Sequence, residues 1–326
     1  MTRAGAGRDF VALSRYGVVA ALLLLVGFGA ARYDNFLGAF NVLTFLRYNA
    51  MFALVGLGMT FVIMTGGIDL SVGAVAALAS VVAALASPAG LWAGLAVGLA
   101  AGLAVGLLNG VLVTRLGIMP FIVTLATMLA ARGTALLLAH NTSVAVSYDS
   151  GFIAVGQNDV FGFPVPAFLA LAAYIAGSLL LNLTAFGRAV LAVGGNEDAA
   201  RMMGLPVDRV KLLVYAMSGL LAGGAGVILA AQFGAGQPVE GAGWELFAIS
   251  AVVVGGTLLT GGEGSVGTTL AGVLLLGLIF NILNFENGLG WISLSAYWQS
   301  VIRGAFLLLV VVLQARLTGR SRRSPV

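Results

Sequence analysis

Along this chain, long apolar runs alternate with short polar or glycine-rich breaks. A helix that crosses a bilayer needs about 20 apolar residues. Runs approaching that length centre on 17–31, 49–65, 71–87, 90–113, 119–139, 164–186, 210–231, 246–260, 266–285 and 296–315. They predict an all-α, polytopic membrane protein with about ten transmembrane helices and no separate soluble domain. The longest polar insertions are 140–163 and 187–209. The expected organisation is a tail at 1–16, one membrane domain at 17–316 with a loop at 187–209, and a second tail at 317–326. Arg3, Arg8 and Arg15 precede the run "YGVVAALLLLVGFGAARY", a layout shared with signal peptides. The many runs that follow make this one a retained first span.

Composition strengthens that picture. Hydrophobic residues make up 60% of the 326 positions and charged residues 9%, against about 25% charged in soluble domains. The 47 glycines suit membrane helices, where they let backbones approach closely. Absence of cysteine excludes disulfides, thiol chemistry and Cys-based metal sites, and a single histidine excludes a histidine-rich one. The net charge of +4 says little about nucleic acid, because in a membrane protein the location of charges outweighs their sum.

The cations also orient the chain. With the N-terminus in the cytoplasm, alternation puts Arg3, Arg8, Arg15, Arg115, Arg188, Arg201, Arg209, Lys211, Arg316, Arg320, Arg322 and Arg323 inside. Only Arg32 and Arg47 fall outside, while Arg132 and Arg303 fall within spans. Lys and Arg favour the cytoplasmic side, so both termini are expected there. The insertion 140–163 carries Asp149 and Asp159 but no Lys or Arg, as expected outside.

One segment echoes another. "GGIDLSVGAVAAL" at 66–78 resembles "GGEGSVGTTLAGV" at 261–273, and each follows one apolar run and opens the next. Internal repeats in transporters carry glycine-broken segments near the substrate path. A glycine-rich chain also matches itself by chance, so both readings stand. The alternation places the two segments on the same side, which suits a parallel repeat; an inverted repeat requires a miscounted span.

The basic insertion contains "GGNEDAARMMGLP", 194–206. Asn196 suits a helix N-cap, and Glu197 and Asp198 suit the first turn. Gly204 can close a helix in the left-handed conformation, and Pro206 stops its resumption. A helix of about two turns is unstable alone in water and must lie against something. Ala199 and Ala200 offer a small, smooth face for close docking. An ordinary connecting helix is the plainer reading.

Here the sequence resembles a known family. "FGRAVLAVGGNEDAARMMGLPVDRVKLLVYAMSGLLAGGAGVI", "GMTFVIMTGGIDLSVGAVAALAS", "NGVLVTRLGIMPFIVTLATMLAARG" and "AISAVVVGGTLLTGGEGSVGTTLAGVLLLGLI" are similar to the permease subunits of bacterial ATP-binding-cassette sugar importers of the ribose, xylose and galactofuranose type. The similarity runs from about 40 to 315. "LNFENGLG" at 283–290 is most like the galactofuranose subfamily. In that family the short loop helix is a coupling helix that docks in a groove of the ATPase. The resemblance implies that role for Asn196, Glu197, Ala199, Ala200, Arg201 and Gly204. It also implies a separate ATPase that holds ATP and Mg, a second permease chain, identical or paralogous, and a periplasmic sugar-binding protein, all at a bacterial inner membrane.

Asp69 stands between two apolar runs. Ionisable residues in membrane segments are costly and often functional. A plainer reading is that Asp69 and Ser71 cap the next helix, satisfying N–H groups with no intrahelical partner, while Gly66 and Gly67 allow the turn. The residues favour capping; a gate or pathway role is the alternative, and Glu263 has the same two readings. Asn109, Thr124, Thr127, Arg132, Ser218, Asn281, Asn284 and Gln299 fall within spans. Such groups can line a sugar path, although in bilayer helices they more often bond to neighbouring helices. Asp69, Ser71, Asn109, Glu263, Asn281 and Asn284 are the candidate path or gate residues. His140 reads as interfacial, and Trp92, Trp244, Trp291 and Trp298 as an aromatic belt.

The only lysine, Lys211, follows Val210, so no phosphate loop of the Gly-Lys-Ser/Thr type exists. Energy for transport must come from a partner or from an ion gradient. The leading expectation is a non-enzymatic translocation subunit of an ATP-driven importer of a pentose or hexose. A gradient-driven secondary transporter is the runner-up; that class usually needs a carboxylate deep in a span. No paired carboxylate, zinc set or Ser-His arrangement supports an intramembrane enzyme.

Overall fold

A computed structural model describes residues 3–288, with side chains over 17–287, and beyond them only Trp298, Val301, Ile302, Gly304, Ala305, Leu308 and Val312. Most of the expected span 296–315, the tail 317–326, Trp291, Gln299, Arg303 and the four arginines from Arg316 to Arg323 lie outside the described residues. The elements run α1 (Arg3–Arg32), α2 (Ala39–Met64), α3 (Val72–Ala86), α4 (Leu91–Arg115), α5 (Pro120–Leu138), β1 (Val144–Ala145), α6 (Ala154–Gln157), β2 (Asp159–Val160), β3 (Phe163–Pro164), α7 (Val165–Leu183), α8 (Ala185–Gly195), α9 (Glu197–Met202), α10 (Val207–Phe233), β4 (Ala235–Gly236), α11 (Trp244–Val254) and α12 (Val266–Gly288). The strands form only two short antiparallel pairs, β1 with β4 and β2 with β3.

Among the described residues, seven helices are long and apolar enough to cross a membrane: α2, α3 with its following 3-10 turn, α4, α5, α7, α10 and α12. Every expected run from 17–31 to 266–285 falls on a helix, but not all are full spans. The run 246–260 becomes α11, only 11 residues long. At 1.5 Å per residue it covers roughly half of a hydrocarbon core about 30 Å thick. Gly255 caps its end, and Gly256 follows with a positive φ of 86°. The insertion 187–209 is not a loop. Thr184 accepts a hydrogen bond from the Gly187 N–H and starts α8, which buries Gly187, Ala189, Val190 and Val193. Residues 3–16 of the expected tail continue into the first apolar run, because α1 spans Arg3–Arg32. Trp244 departs from the aromatic belt: it is buried, its ring 4.9 Å from that of Phe52.

The core forms around α2, which is buried on nearly all sides from Asn49 to Met64. A helix apolar all round belongs inside a bundle. Helices α3 and α10 pack beside it and are also largely buried. Helices α4, α5 and α7 flank this centre and turn Trp92, Leu129, Leu137, Leu171 and Leu183 outward, as a lipid-facing surface requires. The α4–α10 seam is built from glycine. Gly98, Gly102, Gly106 and Gly110 recur every fourth residue on the buried face of α4, opposite Gly219 and Gly223 of α10. Four-residue spacing keeps them on one face, so the two backbones meet directly.

The connections sort to two ends of the bundle. One end holds the α2–α3 turn, the α4–α5 link, the α8–α9 corner and the segment 255–265. There the Gly262 N–H donates to Met64 O at 3.0 Å and Thr124 Oγ1 to Ile68 O at 3.3 Å. The opposite end holds the β1–β4 pair, the Arg47–Asp159 ion pair and a Ser147 N–H donating to Ser87 Oγ at 2.8 Å. Arg132, expected within a span, reaches this end and donates to Pro238 O at 2.8 Å.

The two echoing segments lie at the same end and touch, in agreement with the alternation. In each, a serine immediately precedes the helix and its carbonyl opens the ladder: Val75 N–H to Ser71 O at 2.8 Å, Thr269 N–H to Ser265 O at 3.2 Å.

Candidate functional site

Two features of the α9 end carry chemistry: the α9 helix itself and a buried polar network behind it. Asn196 ends α8 and starts α9 in one residue. Its extended backbone (φ −163°, ψ 106°) makes the corner, and its Oδ1 accepts the Ala199 N–H at 2.9 Å. Gly204, at φ 79°, closes the helix. Its N–H donates to Arg201 O and the Leu205 N–H to Ala200 O, both at 3.0 Å, the bond pair of a Schellman end. Asn196 and Gly204 thus take the capping positions their residue types indicate.

Ion pairs fix α9 to α10. Lys211 donates to Glu197 Oε2, and Arg201 donates to Asp208 Oδ1 and, at 3.2 Å, to Glu197 Oε1. Partial burial pushes the Glu197 carboxyl up, but hydrogen bonds and charge from Lys211 and Arg201 outweigh it and hold the group below the usual carboxylate range. Arg115, Arg188 and Arg209 form no ion pair among the described residues. This end therefore gathers five Lys and Arg side chains, Arg115, Arg188, Arg201, Arg209 and Lys211.

The expected alanine docking face is corrected by the packing. Ala200 is fully buried within its own chain, in the cluster that holds Val193, Val207 and Val210, and Ala199 is half-buried. The face that α9 turns outward consists of Asp198, Arg201, Met202 and Met203. Met202 is 83% exposed and Met203 70%, adjacent large apolar side chains on an otherwise polar corner. They were not singled out from the sequence, because residue type does not say which face of so short a helix a methionine takes.

Asp69 is buried in the α2–α3 turn at 1% exposure. Its Oδ1 accepts the Ser71 N–H at 3.0 Å and the Ser71 hydroxyl at 2.6 Å, and its Oδ2 accepts the Ser218 hydroxyl from α10 at 2.8 Å. Ser71 Oγ in turn accepts from Asn109 Nδ2 on α4 at 3.0 Å, and Asn109 Oδ1 accepts from Thr127 Oγ1 on α5 at 2.7 Å. Among the described residues no cation pairs with Asp69. Asp69 therefore satisfies one N–H at the head of α3, as capping requires. Ser71 stands at the N-cap but makes no side-chain cap bond, because its hydroxyl is committed to Asp69. The network ties one turn to three helices. Every donor named is spent on a neighbour, as a buried network demands.

The other candidates are not brought together with it. Glu263 is exposed in the 255–265 segment. Asn281 exchanges hydrogen bonds with Asn41 at 2.9 and 3.3 Å, joining α12 to the first turns of α2 near the opposite end, and Asn284 is exposed. His140 is exposed at the end of α5. No group of acidic or histidine side chains able to hold a metal occurs among the described residues.

Membrane-length helices packed around a buried polar network define a polytopic membrane protein. Residues 41–311 match the family described as "Branched-chain amino acid transport system / permease component", and the chain belongs to that family. A permease component is the translocating part of a transport system, not an enzyme. The chain is similar to the ribose import permease protein RbsC of Bacillus subtilis (strain 168), 41% identical over 93% of this chain and 94% of that protein. It is similar to the L-arabinose transport system permease protein AraH of Escherichia coli (strain K12), 39% identical over 91% and 89%. It is also similar to RbsC of that strain, 36% identical over 90% and 91%. The galactofuranose likeness of 283–290 has no counterpart among these three. No solved structure matches the chain.

Proposed function

We propose that this chain is the membrane-spanning translocation subunit of an ATP-driven monosaccharide importer in a bacterial inner membrane, and that α9 is where a separate ATPase engages it. The α9 end faces the cytoplasm, in keeping with Arg115, Arg188 and Arg209, which form no ion pair among the described residues. The ATPase binds ATP and Mg, this chain binds neither, and a second permease chain and a periplasmic sugar-binding protein complete the system. The sugar is a pentose. Relatives named for ribose and L-arabinose, alike to this chain over nearly its whole length, support that choice over the amino acids in the family description.

The observation that carries the reading is α9: a short helix capped at both ends and clamped by ion pairs, with Met202 and Met203 bared beside Asp198 and Arg201. Methionines adapt to apolar grooves, and buried anchors inside a polar rim dominate interface energy. The ATPase supplies a groove with an apolar floor and a charged edge. Co-purification of the ATPase with Met202→Asp and Met203→Asp variants tests this. Each variant inserts in the membrane normally and loses about tenfold or more in ATPase retention, as expected for an anchor worth at least ~1.4 kcal/mol. Wild-type retention by both variants would remove α9 from the interface.

A further inference from the structure

We propose that a three-way backbone contact at Gly194 transmits displacement of α9 to the turns that open α3 and α12. The proposal rests on the reading of α9 as the ATPase-facing helix and names the route by which that end drives the translocation helices. Gly194 lies two residues before Asn196, at the foot of α9. A Cβ at Gly194 would overlap the Met64 carbonyl and crowd the Gly262 nitrogen, two groups already hydrogen-bonded to each other at 3.0 Å. A Cβ at Gly261 (φ 82°) would lie 2.8 Å from the Gly66 nitrogen and 3.0 Å from Gly194 O. Three chain segments therefore meet backbone to backbone, with no side chain between them. A side chain yields by changing rotamer; a hydrogen-bonded backbone yields only by moving its whole segment. Met64 ends α2 immediately before the α3 turn, and Gly262 stands four residues before α12.

Beside this contact the α3 turn and the α8–α9 corner enclose a hollow. A cavity of about 350 Å³ is lined by Thr65, Gly66, Gly67, Gly194, Glu197 and Tyr215, among others. The Tyr215 hydroxyl is buried and has no hydrogen-bond partner among the described residues. Residues 64–67 thus touch the α8–α9 corner at one point, share a cavity with it next to that point, and have an unspent hydroxyl facing them. Beyond the cavity, Asp69 and Ser71 link the same turn to α4, α5 and α10 through Asn109, Thr127 and Ser218. A displacement at Gly194 moves Met64 and the turn through the backbone contact, the adjoining cavity leaves the turn room to shift, and the network carries the shift to three helices, while Gly262 carries it to the fourth. Coupling of this kind travels through packed elements that move as units, which the backbone contact provides.

The test compares Gly194→Ala with Gly195→Ala in the complete complex, reconstituted with its ATPase and binding protein in liposomes. A Cβ at Gly195 meets nothing within 4 Å, so the neighbour controls for the chemical change itself. Assembly, ATP hydrolysis and uptake of labelled ribose and L-arabinose are measured for each. The expected result is that both variants assemble and hydrolyse ATP, Gly195→Ala behaves as wild type, and Gly194→Ala moves about tenfold less sugar per ATP, the scale of a typical coupling energy. Full uptake by Gly194→Ala, equal losses in both variants, or failure of Gly194→Ala to assemble would each overturn the proposal, the last by making the contact a folding element. Absence of ATPase binding or uptake in the wild-type arm would instead remove the reading of α9 on which the proposal rests.

Discussion

Replacing Gly102 with alanine adds one methyl group at the tightest kind of contact in the fold. A Cβ there would lie 2.6 Å from Gly223 Cα and 2.8 Å from its nitrogen, and closer still to the Gly219 carbonyl oxygen. Carbon atoms rest comfortably at about 3.5–4.0 Å, so α4 and α10 must part by roughly 1 Å. The seam is shared by Gly98, Gly106 and Gly110, and Asn109 on the same helix reaches Ser71, so the parting spreads. Overpacking costs about 1–3 kcal/mol, and the better helix propensity of alanine returns up to about 1. The net loss is about 1–2 kcal/mol, or a melting point lower by about 2–6 °C. Gly133→Ala, on α5, meets nothing within 4 Å and serves as the control. Its expected effect is neutral or a gain of up to about 1 kcal/mol. Thermal unfolding of both purified variants in one detergent, followed by loss of monodisperse protein, gives the comparison. The reasoning is refuted if Gly102→Ala melts with or above Gly133→Ala.

Asp69→Asn keeps an oxygen for Ser71 and lets the Ser218 hydroxyl turn and accept, so it unfolds within about 2 kcal/mol of wild type, whereas Asp69→Leu orphans several buried donors and costs about 3 kcal/mol or more. Thermal unfolding of the pair separates them, and equal melting of the two would contradict the network. Because the chain has no cysteine, single cysteines report sidedness: Asp149→Cys is labelled by an impermeant reagent from outside only, and Asp198→Cys from the cytoplasmic side only. Labelling of both from the same side would contradict the orientation.

Apolar runs located the helices because bilayer length fixes a pattern that no tertiary context alters. Residue types also marked the two ends of α9, since an Asn cap and a left-handed Gly act locally. Other features were hidden because they depend on what a residue faces. Ala200 looked like a docking face and packs inward; Met202 and Met203, passed over in the sequence, point outward. The half-length of α11 was masked by apolar residues that continue past Val254 although the helix does not. The polar residues of the α2–α3 turn, α4, α5 and α10 were visible singly, but their joining into one network needed the helix packing. The four-residue glycine period of α4 stands in "GLAVGLAAGLAVGLLNG" but was not drawn from the sequence, and the contact it makes with α10 came from the packing.

Uptake of labelled ribose and L-arabinose, measured in liposomes that hold this chain with its ATPase and binding protein, tests the central claim most directly. The account predicts uptake that requires ATP on the α9 side, persists when an ionophore collapses every ion gradient, and is lost with Met202→Asp. Uptake that continues without ATP and stops with the ionophore would contradict it and make the chain a gradient-driven carrier.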